Sequence, residues 1–377
     1  MTVFGVPELE DLETALGGLE GKSILVRVDF NVPMSGGEIT DDLRMQAALP
    51  TLQWLQERGA KVTACSHRGR PKGEPNPEFS MDPVRAHLAT LAPGVALLEN
   101  LRFNPGETSN DPAFVASLVE GHDGYVNDAF GASHREHASI VGPPATLPSA
   151  AGRLLAKEVD VILGVRDQAR RPFVAIMGGA KVSDKLSVIE SLLTKVDSII
   201  VGGGMAFTFL KAKGHDVGDS LLEVDMVDTC ARLLDSGATI HLPQDITALG
   251  GGGKLFDPEA GGEVRQAGVN LSAGWMGVDI GPYSAALFTD VILDAGTVLW
   301  NGPMGVFEDP RFQAGTRAVA EAMAETRAFT VVGGGDSAAA AKQFGVDRSV
   351  DHVSTGGGAS LELIEQGDLP GLTALRS

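Results

Sequence analysis

Cysteine is nearly absent: Cys65 and Cys230 are the only two in 377 residues, and nothing in their spacing suggests a disulfide framework. Aromatic residues make up only 5% of the chain, so its cores must be built from aliphatic side chains. Positive charge is also scarce. Lys and Arg number 30 against 49 Asp and Glu, a net charge of −19 that repels nucleic acid and anionic membranes. Any phosphate site must therefore be built locally. No apolar run is long enough to cross a bilayer. The N-terminal stretch MTVFGVPELEDLE has neither a basic nor an apolar signal region. These absences lead us to expect a soluble, cytoplasmic protein with no nucleic-acid or membrane partner.

Glycine is plentiful, 48 residues, and it is clustered rather than periodic. The length suits two large domains. Short apolar runs such as Ser23–Val28, Lys61–Cys65, Val95–Leu98, Tyr125–Val126, Pro172–Met177, Ser198–Val201, Thr297–Leu299 and Phe329–Val332 read as strands. They alternate with segments of helical character, including Thr51–Arg58, Val182–Thr194, Val224–Leu234, Phe312–Glu325 and Ala338–Phe344. This order predicts an α/β fold of two domains with parallel sheets. A helix from Ser149 to about Gln168 joins them. Ligand sites in such sheets lie at the carboxyl ends of the strands, so the loops there carry the functional argument.

In the first half, four such loops bring up Asp29 and Asn31; His67, Arg68 and Arg70; Arg102; and His134, Arg135 and His137, with Arg44 following the first loop in DDLR. Arginines from separate loops suit a bidentate grip on carboxylate and phosphate. The His134/His137 pair lacks further ligands at zinc-site spacing. In the second half, MGGAKVSDK, VGGGMAF, VGGGDS and STGGGAS each place glycines between a strand and a helix, the usual setting of a phosphate seat. Lys181 and Lys185 are spaced one helical turn apart and are expected to face the same way. Asp336 beside such a seat is a candidate Mg²⁺ ligand. Gly333–Ala338 also fits a weak dinucleotide pattern, so a nicotinamide-dependent Rossmann dehydrogenase stands as a rival. A nucleotide- or phospho-sugar-binding protein without turnover is a second. No Walker A motif is present: Leu16 stands where one ending at Gly21-Lys22-Ser23 needs glycine.

Taken together, RVDFNVP, SHRGRP, ENLRF, NDAFGASHR, GGAKVSDK, GGGMAFTFLK, GWMGVDIGP, LWNGPMGVFE, GGGDS and STGGGASLE resemble phosphoglycerate kinases, and they run in that family's order from residue 27 to residue 362. The resemblance implies reversible in-line phosphoryl transfer from 1,3-bisphosphoglycerate to Mg-ADP, giving 3-phosphoglycerate and ATP. It implies two Rossmann-like domains closing about a hinge in a monomer. Residues 1–150 with the tail 359–377 would hold the sugar acid, and residues 151–358 the nucleotide. The sugar-acid site would comprise Asp29, Phe30, Asn31, Arg44, His67, Arg68, Gly69, Arg70, Arg102 and Arg135. The nucleotide site would comprise Gly179, Ala180, Lys181, Lys185, Gly203, Gly277, Asn301, Pro303, Val306, Glu308, Gly334, Gly335, Asp336 and Ser337, with Asp336 on the metal. Arg44, Lys181 and Lys185 would be the catalytic cations. Three features depart from the pattern: Arg68 replaces an apolar residue, Ser337 stands where Thr is common, and the stretch from Pro71 to Glu99 is short. In that stretch a helix is expected to run directly into a strand at ENLRF.

Overall fold

The computed structural model describes residues 5–377; the first four residues of the N-terminal stretch read above lie outside the described residues. Ser23–Val28 (β1), Lys61–Cys65 (β2), Ala96–Leu97 (β3), Gly124–Asp128 (β4) and Ser149–Ala151 (β5) make a parallel sheet in the order β3-β2-β1-β4-β5. From Ile24 to Val28 every residue of β1 is buried, because helices cover both faces of the sheet. The core against it joins Leu9, Leu12, Ile24, Val26, Met45, Leu52, Leu55 and Leu88.

The second sheet is also parallel. Phe173–Met177 (β6), Ser198–Val201 (β7) and Thr239–His241 (β8) lie on one side of it. Three further strands, Asp245–Gly250 (β9), Glu263–Gly268 (β10) and Trp275–Ile280 (β11), form a separate antiparallel sheet in the order β10-β9-β11. Thr297–Asn301 (β12), Phe329–Val332 (β13) and His352–Val353 (β14) complete the parallel sheet, ordered β8-β7-β6-β12-β13-β14. Trp300 is fully buried in β12 and donates its indole N–H to the Gly302 carbonyl at 2.8 Å, which satisfies its one polar group.

The chain forms two compact units. One runs to Leu163 and takes in Gly358–Ser377; the other is Gly164–Gly357. The division falls inside the helix Arg153–Gln168. In the first unit the C-terminal helix Pro370–Leu375 buries Leu372 and Leu375, and the Gly371 N–H donates to the Ser133 carbonyl at 2.9 Å.

Several expectations are corrected. The joining helix does not begin at Ser149: Ser149–Ala151 pairs with β4, and the helix starts at Arg153. Its start is set by side chains. Thr51 Oγ1 accepts from the Arg153 N–H at 2.8 Å, and Asp128 Oδ1 accepts from Leu154 and Leu155 at 2.9 and 3.2 Å. The helix expected from Thr51 begins instead at Leu43 and runs through Pro50. Met45, Ala48, Leu52 and Leu55 bury one face, and that burial outweighs the bond the proline removes. ENLRF is not a strand. Strand β3 ends at Leu97, and Leu101–Phe103 is a 3₁₀ turn whose backbone Asn100 ties down, its side-chain oxygen accepting from the Arg68 and Arg102 N–H groups. The helix after GGAKVSDK begins only at Leu186. The turn before it is held by Glu223, whose carboxylate accepts from the Val182 and Ser183 N–H groups at 2.6 and 3.2 Å.

Candidate functional site

The carboxyl ends of β1, β2 and β4 open onto a cleft of about 720 Å³ in the first unit. Asp29, Asn31, Arg44, His67, Gly69, Arg70, Arg102 and Arg135 line it, joined by Lys72, Thr108, His134 and His137. Arg44 Nη1 donates to Asp29 Oδ2 at 3.0 Å and to the Asn31 carbonyl at 3.2 Å. Asn31 Oδ1 accepts from the Gly69 N–H at 2.9 Å, and Arg102 Nη1 donates to the Gly69 carbonyl at 2.8 Å. The RVDFNVP, SHRGRP and ENLRF loops are thus bonded to one another. The carboxyl of Asp29 lies below its ordinary range: burial opposes this, but the charges of Arg44 and Arg27, with the Asn31 N–H as a hydrogen-bond donor, outweigh it. His67 is held well below its ordinary value by burial, and His137 is brought down to about 4 by burial and by Arg102, Arg27 and Arg135. Both rings are neutral near pH 7. Arg102 Nε is buried without a partner, a donor suited to an anion from the cleft.

Two residues expected here lie elsewhere. Phe30 is fully buried in the core. Arg68 donates through Nη1 to the Ser80 carbonyl at 2.8 Å and does not line the cleft. Lys72 was missed, although it directly follows SHRGRP; it lines the cleft at φ 60°.

In the second unit the loops after β6, β7 and β12 touch through their backbones. The Gly178 N–H donates to the Asn301 carbonyl at 2.9 Å, Gly179 to Pro303 at 3.1 Å, and Gly203 to Met304 at 2.9 Å. A Cβ on Gly178 would lie 2.1 Å from the Pro303 carbonyl oxygen, and one on Gly203 2.6 Å from the Gly179 backbone. Glycine is required by this close approach. Lys185 and Lys181 differ. Lys185 turns inward to the Gly178 and Asn301 carbonyls and the Asn301 side-chain oxygen, and burial lowers its pKa to about 8. Lys181 and its neighbour Ala180 are exposed. The expectation that the two lysines face the same way is therefore corrected, because both precede the helix.

Gly277 is buried, and its N–H donates to Ser220 Oγ at 2.8 Å. Val306 docks on β11 by donating to the Val278 carbonyl at 3.0 Å, and Glu308 stands exposed two residues on. Asp279, unmarked by the motif reading, is wedged beneath this loop. It accepts from the Gly315 N–H at 2.7 Å, and a Cβ on Gly305 or Gly315 would come within 2.3 or 2.4 Å of its Oδ1. Gly334 precedes the helix Gly335–Gln343 at φ 98°, and Asp336 is exposed in that helix's first turn. Ser337 is buried and its hydroxyl accepts from the Gly302 N–H at 2.6 Å, so it braces the loop from behind.

The family model described as Phosphoglycerate kinase matches residues 14–95 and 91–367. A phosphoglycerate kinase of Rubrobacter xylanophilus is 51% identical over 382 residues, covering 95% of this chain and 96% of the relative. One of Rhodococcus erythropolis is 47% identical over 408 residues, covering 99% and 100%. Among solved structures, the phosphoglycerate kinase of Coxiella burnetii superposes with a TM-score of 0.86 at 36% identity, and that of Pyrococcus horikoshii with 0.84 at 31%, each covering 98% of both chains.

Proposed function

The chain belongs to the phosphoglycerate kinase family, whose members are phosphotransferases with a carboxyl group as acceptor, and we propose that it moves a phosphoryl group reversibly between 1,3-bisphosphoglycerate and ADP in glycolysis or gluconeogenesis. The observation that carries this reading is the arginine-lined cleft at the strand ends of one unit together with the glycine-built loops and inward Lys185 of the other. The dehydrogenase and the silent binding protein find no support in the comparisons.

In this reading the first unit binds the sugar acid. Asp29 and Asn31 accept from its hydroxyl, while His67, Arg70, Arg102 and Arg135 hold its carboxylate and phosphate. The second unit binds the nucleotide. Gly203, Gly277, Pro303 and Val306 wall the adenosine, Glu308 takes the ribose, and Gly334, Gly335 and the lysines meet the phosphates. The mixed anhydride is already activated, so transfer to ADP needs no general base. What it needs is in-line placement and neutralised charge on the transferring oxygens. Arg44 supplies this from one side and Lys181 from the other, with no phospho-enzyme formed. Reaction requires the two units to bring their ligands together and exclude water from the acyl phosphate.

The residues present fit a magnesium ion carried by the nucleotide. Among the described residues no cluster of three His, Cys, Asp or Glu forms a protein cage, whereas Asp336 offers one exposed carboxylate at a helix start. Mg²⁺ commonly binds through one or two carboxylates plus substrate phosphates. Asp336 would hold it, and the ion would offset phosphate charge. The acidic composition disfavours nucleic acid and anionic membranes as partners, and among the described residues no helix is long and apolar enough to cross a membrane. That the protein is a cytoplasmic monomer is part of the same proposal and rests on the family resemblance.

The deciding experiment is turnover of 3-phosphoglycerate with Mg·ATP, coupled through glyceraldehyde-3-phosphate dehydrogenase to loss of NADH absorbance. A rate that requires every component supports the reading. Intact binding of both ligands with no rate would return the chain to the silent binding protein.

A further inference from the structure

Beneath the sugar-acid cleft lies a buried chain of charge that the reaction does not use. Arg27, on β1, has no exposed surface. Its Nε donates to Ser139 Oγ at 2.8 Å, Nη1 donates to the Val28 carbonyl, and Nη2 stands 3.1 Å from His67 Nδ1. Ser139 Oγ in turn donates to Glu107 Oε1 at 2.7 Å, and Glu107, itself fully buried, lies 4.0 Å from Arg27 Nη2. A buried guanidinium needs a counter-charge and hydrogen-bond acceptors: Glu107 supplies the charge, and Ser139, the Val28 carbonyl and His67 face its nitrogens.

A guanidinium has only donors and stays protonated. A donor 3.1 Å from His67 Nδ1 therefore requires a lone pair there. The nearby carboxylate oxygen Asp29 Oδ1 is 4.0 Å away, too far to accept a hydrogen bond from that nitrogen. A neutral ring with a lone pair on Nδ1 carries its proton on Nε2. That edge is not among the buried unpartnered atoms, and His67 lines the cleft. We propose that Arg27, held by Ser139 and Glu107, is a positioning residue that locks His67 as the Nε2–H tautomer and so presents a neutral donor to the sugar acid. This rests on the reading of His67 as part of that site. The arrangement follows a general pattern in which the far nitrogen of a working histidine is fixed by a partner behind it.

The test is to label the histidines with ¹⁵N and read the two His67 ring nitrogens in the whole, ligand-free protein, then with 3-phosphoglycerate added. The expected result is an unprotonated Nδ1 and a protonated Nε2, with the Nε2 signal moving on ligand addition. A protonated Nδ1 in the wild-type chain overturns the proposal with no mutation needed. An Nε2 that ignores 3-phosphoglycerate in an enzyme that turns it over overturns the presentation of that proton to substrate.

Removing Arg27 alone would strand Glu107, so the variant is Arg27→Met with Glu107→Gln. It should give mixed tautomers and raise KM for 3-phosphoglycerate by about tenfold, the worth of one lost hydrogen bond, with nucleotide KM unchanged. Arg27→Lys, which still offers a donor, should restore much of the tautomer. An unchanged tautomer in the double variant also overturns the proposal. A chain that holds the Nε2–H tautomer yet shows no turnover would count against the functional reading alone.

Discussion

Lys185 points its ammonium group at the main-chain carbonyl of Gly178, 2.8 Å away, rather than out into solvent. The carbonyls keep the charge satisfied, but burial lowers the pKa to about 8, with Asp336 and Asp184 opposing the fall. The free enzyme should therefore lose this charge as pH rises through about 8. We expect kcat/KM for the nucleotide to drop on that alkaline limb. The limb in kcat should lie higher, because bound phosphates favour the charged form. Coincident limbs in a pH–rate profile would remove Lys185 from the nucleotide site.

Arg44 is tied to Asp29 at 3.0 Å and remains partly exposed at the cleft. If it neutralises the transferring group, Arg44→Ala lowers kcat by about 10²-fold or more in steady-state assays. A raised KM with near-normal kcat would make it a ground-state ligand only.

If Asp336 holds the magnesium of the nucleotide, Asp336→Ala should raise the free Mg²⁺ needed for half-maximal rate by roughly tenfold or more. A magnesium titration that matches wild type would reassign the ligand.

His137 is neutral in the folded protein, its pKa lowered from 6.5 to about 4, while in the unfolded chain it titrates normally. Below about pH 6.5 unfolding takes up a proton there, so its contribution is present above 6.5 and is lost as pH falls toward 4. Denaturant unfolding at a series of pH values should show this slope, and His137→Gln should flatten it. An equal slope in the variant would show that other groups carry the acid lability.

Asp279 works in the opposite direction. Burial raises its pKa from 3.8 to about 7 against two backbone hydrogen bonds. Between those values the folded state holds a proton the unfolded state has released, so this contribution falls as pH rises through the window. Asp279→Asn keeps the shape and one acceptor. Its stability deficit against wild type should shrink from acid to neutral pH, and its nucleotide KM should rise through the loop that carries Val306 and Glu308. A constant deficit across the range would mean that Asp279 is ionised throughout.

What could be read from the chain alone follows from which interactions are local. Strands such as Ile24–Val28 are buried on both faces and announce themselves as apolar runs. The antiparallel strand Glu263–Gly268 does not, because its outward residues are polar and nearly all of it is exposed. The helix through Pro50 was cut short because proline is a local stop sign that a core face can override. The cleft residues were legible because strand-end loops carry Arg, His and Asp in recognisable runs. Glu107, Asp279 and Glu223 were not, since each acts on backbone or side chains far along the sequence.

The chain leaves the first unit at Leu163 and returns to it only at Gly358. During synthesis the second unit is therefore complete on the ribosome before the first, although the first begins earlier. Until the last segment emerges, the Ser133 carbonyl lacks Gly371 and the surface beneath Leu372 and Leu375 stays open to water. Vectorial folding should therefore close the first unit late, with the helix Ala138–Val141 and the sheet-edge strand Ser149–Ala151 waiting for the helix Pro370–Leu375 to pack on them.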